Sequence, residues 1–170
     1  MPSAIAQFDA AADRAMNRVR GPAVDSFVYR LSSAADHSLL WHTCGAAVAL
    51  ARGGDTQYAA RFAATMGAES LLTNGVVKTM FRRVRPALYD DIEFHHGLHR
   101  PVTTSFPSGH ATAAFCAATL LGGGPGWYSL AAGVAATRVY VRLHHASDVA
   151  AGAAFGLALG FAARRFVTGR

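Results

Sequence analysis

Residues 111–137 read ATAAFCAATLLGGGPGWYSLAAGVAAT, 27 residues without one Asp, Glu, Lys, Arg or His. A run so apolar belongs in a membrane or at the centre of a helical core, and its middle decides how it folds. Gly122-Gly123-Gly124-Pro125-Gly126 breaks a helix, because glycine loses the most backbone entropy on ordering and proline lacks the N–H that the preceding turn needs. The stretch therefore predicts a helical hairpin. Working outward, residues 37–51 carry no Asp, Glu, Lys or Arg and stop at Arg52-Gly53-Gly54-Asp55. Residues 58–77 have a helical pattern interrupted only by Arg61 and Glu69, continue through 78–85 and end at Pro86. Residues 149–163 form the last segment, closed by Arg164-Arg165. Each piece is close to, or shorter than, the ~20 residues that cross a bilayer.

The composition fits this pattern. The chain is 52% apolar and only 15% charged, with a mean hydropathy of +0.21. This excludes intrinsic disorder and suits a small membrane protein with a polar working end. Its 170 residues make one domain, residues 1–170. Alanine and glycine fill 53 positions, which favours close helix packing in a membrane; an Ala-rich soluble bundle is the alternative. Two cysteines, Cys44 and Cys116, exclude a disulfide scaffold.

The net charge of +6 and pI near 10 come from fifteen arginines and one lysine, Lys78. No basic run with interleaved aromatics accompanies them, so nucleic acid is not the expected partner. Anionic headgroups or a phosphate-bearing substrate are. Near the N-terminus, Asp9 and Asp13 stand where a signal peptide would be apolar, so no export signal is expected. Ile5, Phe8, Ala12, Met16 and Val19 recur at helical spacing opposite Asp13, Arg14 and Arg18. Residues 1–35 thus hold an amphipathic helix, lying on a membrane or on the protein's own surface. The one long polar stretch, residues 88–100, has His95, His96 and His99 beside Asp90, Asp91 and Glu93. It matches no zinc spacing and reads as a solvated lid, with no metal site.

Three short patterns carry the chemistry. In Lys78-x6-Arg85-Pro86, two helical turns place Lys78, Arg82 and Arg85 on one face, suited to an oxyanion with several oxygens. In Pro107-Ser108-Gly109-His110, Ser108 is a good N-cap, and the free N–H groups of Gly109 and His110 make an anion site with a proton donor beside it. In Thr137-Arg138-x5-His144-x3-Asp148, Arg138 adds a guanidinium and Asp148 can orient His144 as a nucleophile. His144 and Asp148 either share a helical turn or straddle a helix start. His145 is the rival nucleophile, three residues from Asp148. Charged groups at the ends of apolar helices are functional candidates by default.

In this order and spacing, the three patterns resemble the signature of the type-2 phosphatidic acid phosphatase superfamily, which spans membrane lipid phosphatases, soluble acid phosphatases and vanadium haloperoxidases. One departure is Thr137, where the family usually has serine; the hydroxyl is kept. The resemblance implies an all-α, multi-pass membrane bundle of about five or six helices. Its helical core would be residues 36–170, and its first helix would be reduced to the amphipathic segment 1–35. It also implies that Lys78, Arg85, Arg138, Ser108 and the Gly109 amide hold the phosphoryl group. His144 would attack phosphorus, Asp148 would orient it, and His110 would protonate the leaving oxygen. No metal or cofactor is expected.

The implied substrate is a lipid phosphate monoester or diphosphate. The high Ala, Gly and Arg content suggests a GC-rich bacterium, whose short family members resemble cell-wall polyprenyl enzymes, including those acting on decaprenylphosphoryl-5-phosphoribose. Polyprenyl diphosphate, phosphatidic acid, phosphatidylglycerophosphate and a soluble nonspecific acid phosphatase are the other readings. Outside the motifs, arginines divide evenly between the two ends of the bundle: Arg52, Arg61, Arg164, Arg165 and Arg170 against Arg30, Arg82, Arg83, Arg100 and Arg142. The positive-inside rule therefore leaves the sidedness in the cell membrane open. Oligomeric state has no sequence signal.

Overall fold

A computed structural model describes residues 1–87, 101 and 103–169, and these are all helix, turn and extended connection. The stretch read as a solvated lid lies outside the described residues. Seven helices follow in order: α1 (Ala4–Arg18), α2 (Pro22–Ala34), α3 (Leu39–Ala51), α4 (Thr56–Ser70), α5 (Gly109–Leu120), α6 (Pro125–Tyr140) and α7 (Ala146–Thr168). Among the described residues, five of these fall in the expected core, 36–170, and residues 1–35 form the other two. Val19 caps the end of the first, and Gly21 and Pro22 open the second, Pro22 in the first turn, where a missing N–H costs nothing.

The expected helical hairpin is α5 and α6, separated at Gly122 and Gly123, both with positive φ. Likewise α3 ends at Gly53 and Gly54 in left-handed conformation, and the Asp55 carboxylate caps α4 through the Tyr58 N–H. α5 is the centre of the molecule: Ala111, Ala114, Cys116, Ala117, Ala118 and Leu120 are all buried in a core shared with Trp41, Phe62, Met66 and Val134.

The close approach that fixes the working end is between α5 and α7. A Cβ on Gly152 would lie 2.5 Å from the Ser108 carbonyl oxygen, one on Gly156 2.2 Å from the Thr112 oxygen, and one on Gly160 2.7 Å from Thr119 Cβ. This glycine stripe, spaced four residues apart, lets the two backbones touch. As a result the starts of α5 and α7 lie side by side, and the Ser108 N–H donates to the Asp148 carbonyl at 3.1 Å.

Among the described residues only α7 is long and apolar enough by itself to cross a membrane, with 23 residues. The outer surface is rich in Ile5, Phe8, Phe27, Leu50, Leu71, Phe161 and Phe166. α1 is instructive: its only buried residue is Asp9, while Ile5, Phe8 and Val19 face outward. Its inner side carries Asp9, Ala12, Asp13 and Met16, the last packed against the cluster of Tyr29 and Tyr140, while Arg14 and Arg18 are exposed along with Ile5 and Phe8.

One local expectation is corrected. Residues 78–85 are not a continuous helix: α4 passes through a π turn (Leu71–Val76) and a 3-10 turn (Val77–Met80), and residues 81–87 are extended. Lys78, Arg82 and Arg85 therefore do not share a helical face. The reason is a competing partner. The Arg83 N–H donates to Thr104 Oγ1 at 2.9 Å, and the Ser105 N–H donates to the Arg83 carbonyl at 3.0 Å. Residues 83–85 thus pair with 103–105 instead of closing another turn.

Candidate active site

The ends of α4, α5 and α6, the loop before α7 and the bend before α3 enclose a cavity of about 720 Å³. Of the eight residues the sequence marks, Lys78, Arg85, Gly109, His110, Arg138 and His144 line it. Ser108 and Asp148 do not; both are fully buried behind it. Ser108 is the N-cap of α5, its hydroxyl accepting from the Ala111 N–H at 3.4 Å. Arg82 lines a neighbouring cavity of about 680 Å³.

Arg85 is oriented by backbone oxygens. Its Nε donates to the Thr103 carbonyl at 3.0 Å, and its terminal nitrogens donate to Leu143 O at 2.6 Å and Thr104 O at 3.2 Å. Arg138 is 2% exposed, bonds the Ser32 hydroxyl through NH1, and has a buried Nε without a protein partner among the described residues. Its charge stands at the wall of the cavity, where a guanidinium suits an oxyanion.

His144 precedes the N-cap of α7 and Asp148 lies in its first turn, so the two straddle a helix start. The imidazole is not held by Asp148. Its Nδ1–H donates to the Ser105 carbonyl at 2.7 Å, whereas Asp148 Oδ2 is 3.9 Å away. Asp148 is engaged elsewhere: Oδ1 accepts from Arg83 at 2.7 Å, and Oδ2 caps α7 by accepting from the His145 N–H at 2.9 Å. The effect on the ring is the one expected of an orienting carboxylate, achieved by a carbonyl. With Nδ1 protonated, Nε2 presents a lone pair to the cavity, 3.3 Å from Arg85 NH1. Burial, then the neighbouring Arg85, Arg138 and Lys78, holds His144 well below the usual imidazole range, so it is uncharged at neutral pH. The rival His145 contacts the Val84 carbonyl at 3.2 Å and stays outside the cavity.

Sequence reasoning missed three contributors. Asp36, between α2 and α3, accepts from His110 Nε2 at 2.8 Å and stands 3.8 Å from Arg138. Burial alone would raise its carboxyl, but His110, Arg138 and His37 outweigh that and hold it below the usual carboxylate range. The bend that delivers it puts His37 and Ser38 in left-handed conformation, φ 52° and 58°. Two consecutive strained non-glycine residues at a cavity wall are characteristic of functional sites. Asn74 sits in the π turn over Gly109, where a Cβ would meet its Oδ1 at 2.8 Å. Arg83 bridges Asp148 to Asp9 of α1, at 2.7 and 2.6 Å, and Asp9 also accepts from the Ser147 N–H and hydroxyl. None of the three belongs to a motif; the Asp-His-Ser bend after an apolar-periodic helix was the only visible signal for Asp36.

A cradle of three cations, a helix start and two histidines fits a phosphoryl group, and family comparison agrees: the PAP2 superfamily pattern matches residues 58–170. The chain belongs to the PAP2 superfamily. No curated protein matches it. Among solved structures, this PAP2 chain is similar to the transmembrane PAP2-type phosphatidylglycerolphosphate phosphatase of Bacillus subtilis. The two are 25% identical with a TM-score of 0.73, over 99% of this chain and 86% of that one. It is also similar to LpxE of Aquifex aeolicus, at 25% identity and a TM-score of 0.68, over 88% of this chain and 90% of that one. As a PAP2 protein it is an enzyme, a phosphatase hydrolysing phosphoric esters, and the B. subtilis protein it is similar to is a transmembrane phosphatase.

Proposed function

We propose that the protein is a multi-pass inner-membrane enzyme that hydrolyses the phosphate of a polyprenyl-linked cell-wall lipid through a phosphohistidine. Decaprenylphosphoryl-5-phosphoribose and polyprenyl diphosphate are the candidates. The observation that carries the chemistry is the tautomer of His144 set by the Ser105 carbonyl, whose Nε2 faces the cavity and accepts from Arg85 NH1 at 3.3 Å beside Lys78 and Arg138. These cations and the Gly109 amide hold the phosphoryl oxygens and stabilise the charge that grows on them in transit. Nε2 bonds to phosphorus as the ester P–O bond breaks, and the departing oxygen takes a proton from His110. Water then attacks phosphorus, gives its proton back to His110, and breaks the N–P bond to release phosphate. Ser108 and Asp148 act from behind the cradle, Ser108 by setting the α5 start and Asp148 by setting the α7 start on which His144 rides.

Phosphatidylglycerophosphate is the second reading, favoured by the likeness to the B. subtilis enzyme that acts on it. The test is phosphate release by detergent-purified protein in EDTA, across polyprenyl, glycerophospholipid and soluble phosphates. Turnover in EDTA with polyprenyl substrates leading the panel is expected. A requirement for added metal, or a preference for soluble esters, would overturn the reading.

A further inference from the structure

The α4 side of the cavity changes character along its length. Met66, Ser70, Asn74 and Lys78 recur every four residues and all line it, a wall of roughly 18 Å at helical rise. The phosphate cradle occupies the Lys78 end, and Met66 and Gly67 form an apolar opposite end. Between them lie Glu69 and Ser70, with His42 contributed by α3. A phosphate attached directly to a hydrocarbon chain would have nothing to offer that polar middle.

Glu69 is the most informative residue there. Its side chain is 4% exposed, and the Thr73 hydroxyl donates to Oε1 at 2.9 Å. Oε2 is buried and has no partner among the described residues. An unsatisfied carboxyl oxygen in such a place destabilises the fold, and replacing both partners by apolar groups would avoid the cost. On a cavity wall, with the Lys78 charge acting on it, the carboxyl is an acceptor that a ligand hydroxyl can satisfy.

We propose that this middle compartment is a headgroup subsite. Glu69 Oε2 accepts a hydrogen bond from a hydroxyl of the group esterified to the phosphate, so the substrate is the phosphate monoester of a polyol or sugar headgroup. That headgroup stands between the reacting phosphorus and the lipid tail. The inference rests on the lipid phosphatase reading and narrows its substrate class. Asn74, packed over Gly109 and donating to the Ser70 hydroxyl at 3.2 Å, joins the cradle to this subsite. A buried acceptor discriminates strongly, because an analogue lacking the hydroxyl leaves it unpaired in the bound state.

The test uses matched pairs in detergent: short-chain phosphatidylglycerophosphate and its analogue with the headgroup hydroxyl replaced by hydrogen, and a polyprenylphosphoryl ribose 5-phosphate with its dideoxyribose counterpart. The wild type should favour the hydroxylated member of at least one pair by tenfold or more in kcat/KM. Which pair separates further tells polyol from sugar. Glu69→Leu should collapse the preference, and Glu69→Gln, whose amide oxygen still accepts, should keep part of it. The ratio is its own control for folding, since loss of structure lowers both members together. Equal handling of both pairs by the wild type, or a preference that survives Glu69→Leu, overturns the subsite. Absence of turnover on every ester by folded wild type is a distinct result: it overturns the phosphatase reading itself.

Discussion

Residues 58–170, the part matched by the family pattern, and the 57 residues before them contribute to the site in different ways. The matched part supplies the cations, the helix start and both histidines. The preceding part has no motif, yet Asp36 holds His110, Ser32 holds Arg138, and Asp9 holds Arg83. The difference separates chemistry from its tuning. Lys78, Arg85, Gly109, His110, Arg138 and His144 of the motifs line the cavity; Ser105 and Thr103 of the matched part position His144 and Arg85, whereas Asp36 and Ser32 of the preceding part position His110 and Arg138. Damage to the first region should abolish turnover, and damage to the second should detune it.

The sharpest contrast is within the matched part. His144→Ala should lower phosphate release by about a thousandfold or more, as loss of a nucleophile does. His145→Ala should stay within severalfold of wild type, because that ring lies outside the cavity. A comparable loss in both, measured as kcat with a lipid phosphate, would move the nucleophile and break the comparison. Gly156→Leu should be nearly as damaging by another route. A Cβ there already falls 2.2 Å from the Thr112 carbonyl oxygen, so α5 and α7 must separate, costing several kcal/mol or the fold itself. A folded variant with wild-type thermal stability in detergent would show that the glycine stripe is not what aligns the two helix starts.

Asp36→Asn tests the other region. Burial first, then Arg138 and Lys78, push the His110 imidazole down to about 4, and the hydrogen bond and charge of Asp36 are what favour the imidazolium against them. Without it, the acid form of His110 is lost at lower pH. The expected result is a fall in kcat of about ten- to a hundredfold at neutral pH, with KM changed much less. The alkaline limb of the kcat profile should shift to lower pH by about one unit. A uniform loss with no shift of that limb would make Asp36 a structural residue only.

The same division explains what was legible in the sequence. Motif residues could be read because their spacing encodes a local helix start or end: Ser108 does cap α5, and Gly122 to Gly126 does split the α5–α6 hairpin. Contacts between distant segments could not be read. The pairing of residues 83–85 with 103–105, which stops the helix before Arg85, depends on segments twenty residues apart. The same holds for the Ser105 carbonyl that takes the place expected for Asp148 beside His144. Residues 4–18 do form a helix, but hydropathy is silent about which acid turns inward. Asp9 and Asp13 look alike in sequence; only Asp9 reaches Arg83 and the α7 start, while Asp13 pairs with Arg142.

That distinction gives the smallest of the expected effects and the finest test of the comparison. Burial by itself would raise the Asp9 carboxyl, but bonds from Ser147 and Arg83 outweigh it and hold the group below its ordinary range. A carboxyl lowered by folding stabilises the fold above its unfolded value of about 3.9, and the contribution disappears as pH falls through the lower folded value. Asp9→Asn should therefore cost about 1–2 kcal/mol between pH 5 and 8, the scale of charge-assisted hydrogen bonds at a partly exposed site. The gap between variant and wild type should narrow below pH 4, where the wild type loses the same charge. Thermal unfolding in detergent across that range reads the difference directly. Activity should fall only severalfold, since Arg83 keeps its bond to Asp148 and His144 keeps the Ser105 carbonyl. If Asp9→Asn instead abolished turnover while leaving stability untouched, α1 would be part of the chemistry, and the division between the two regions would have to be redrawn at the first helix.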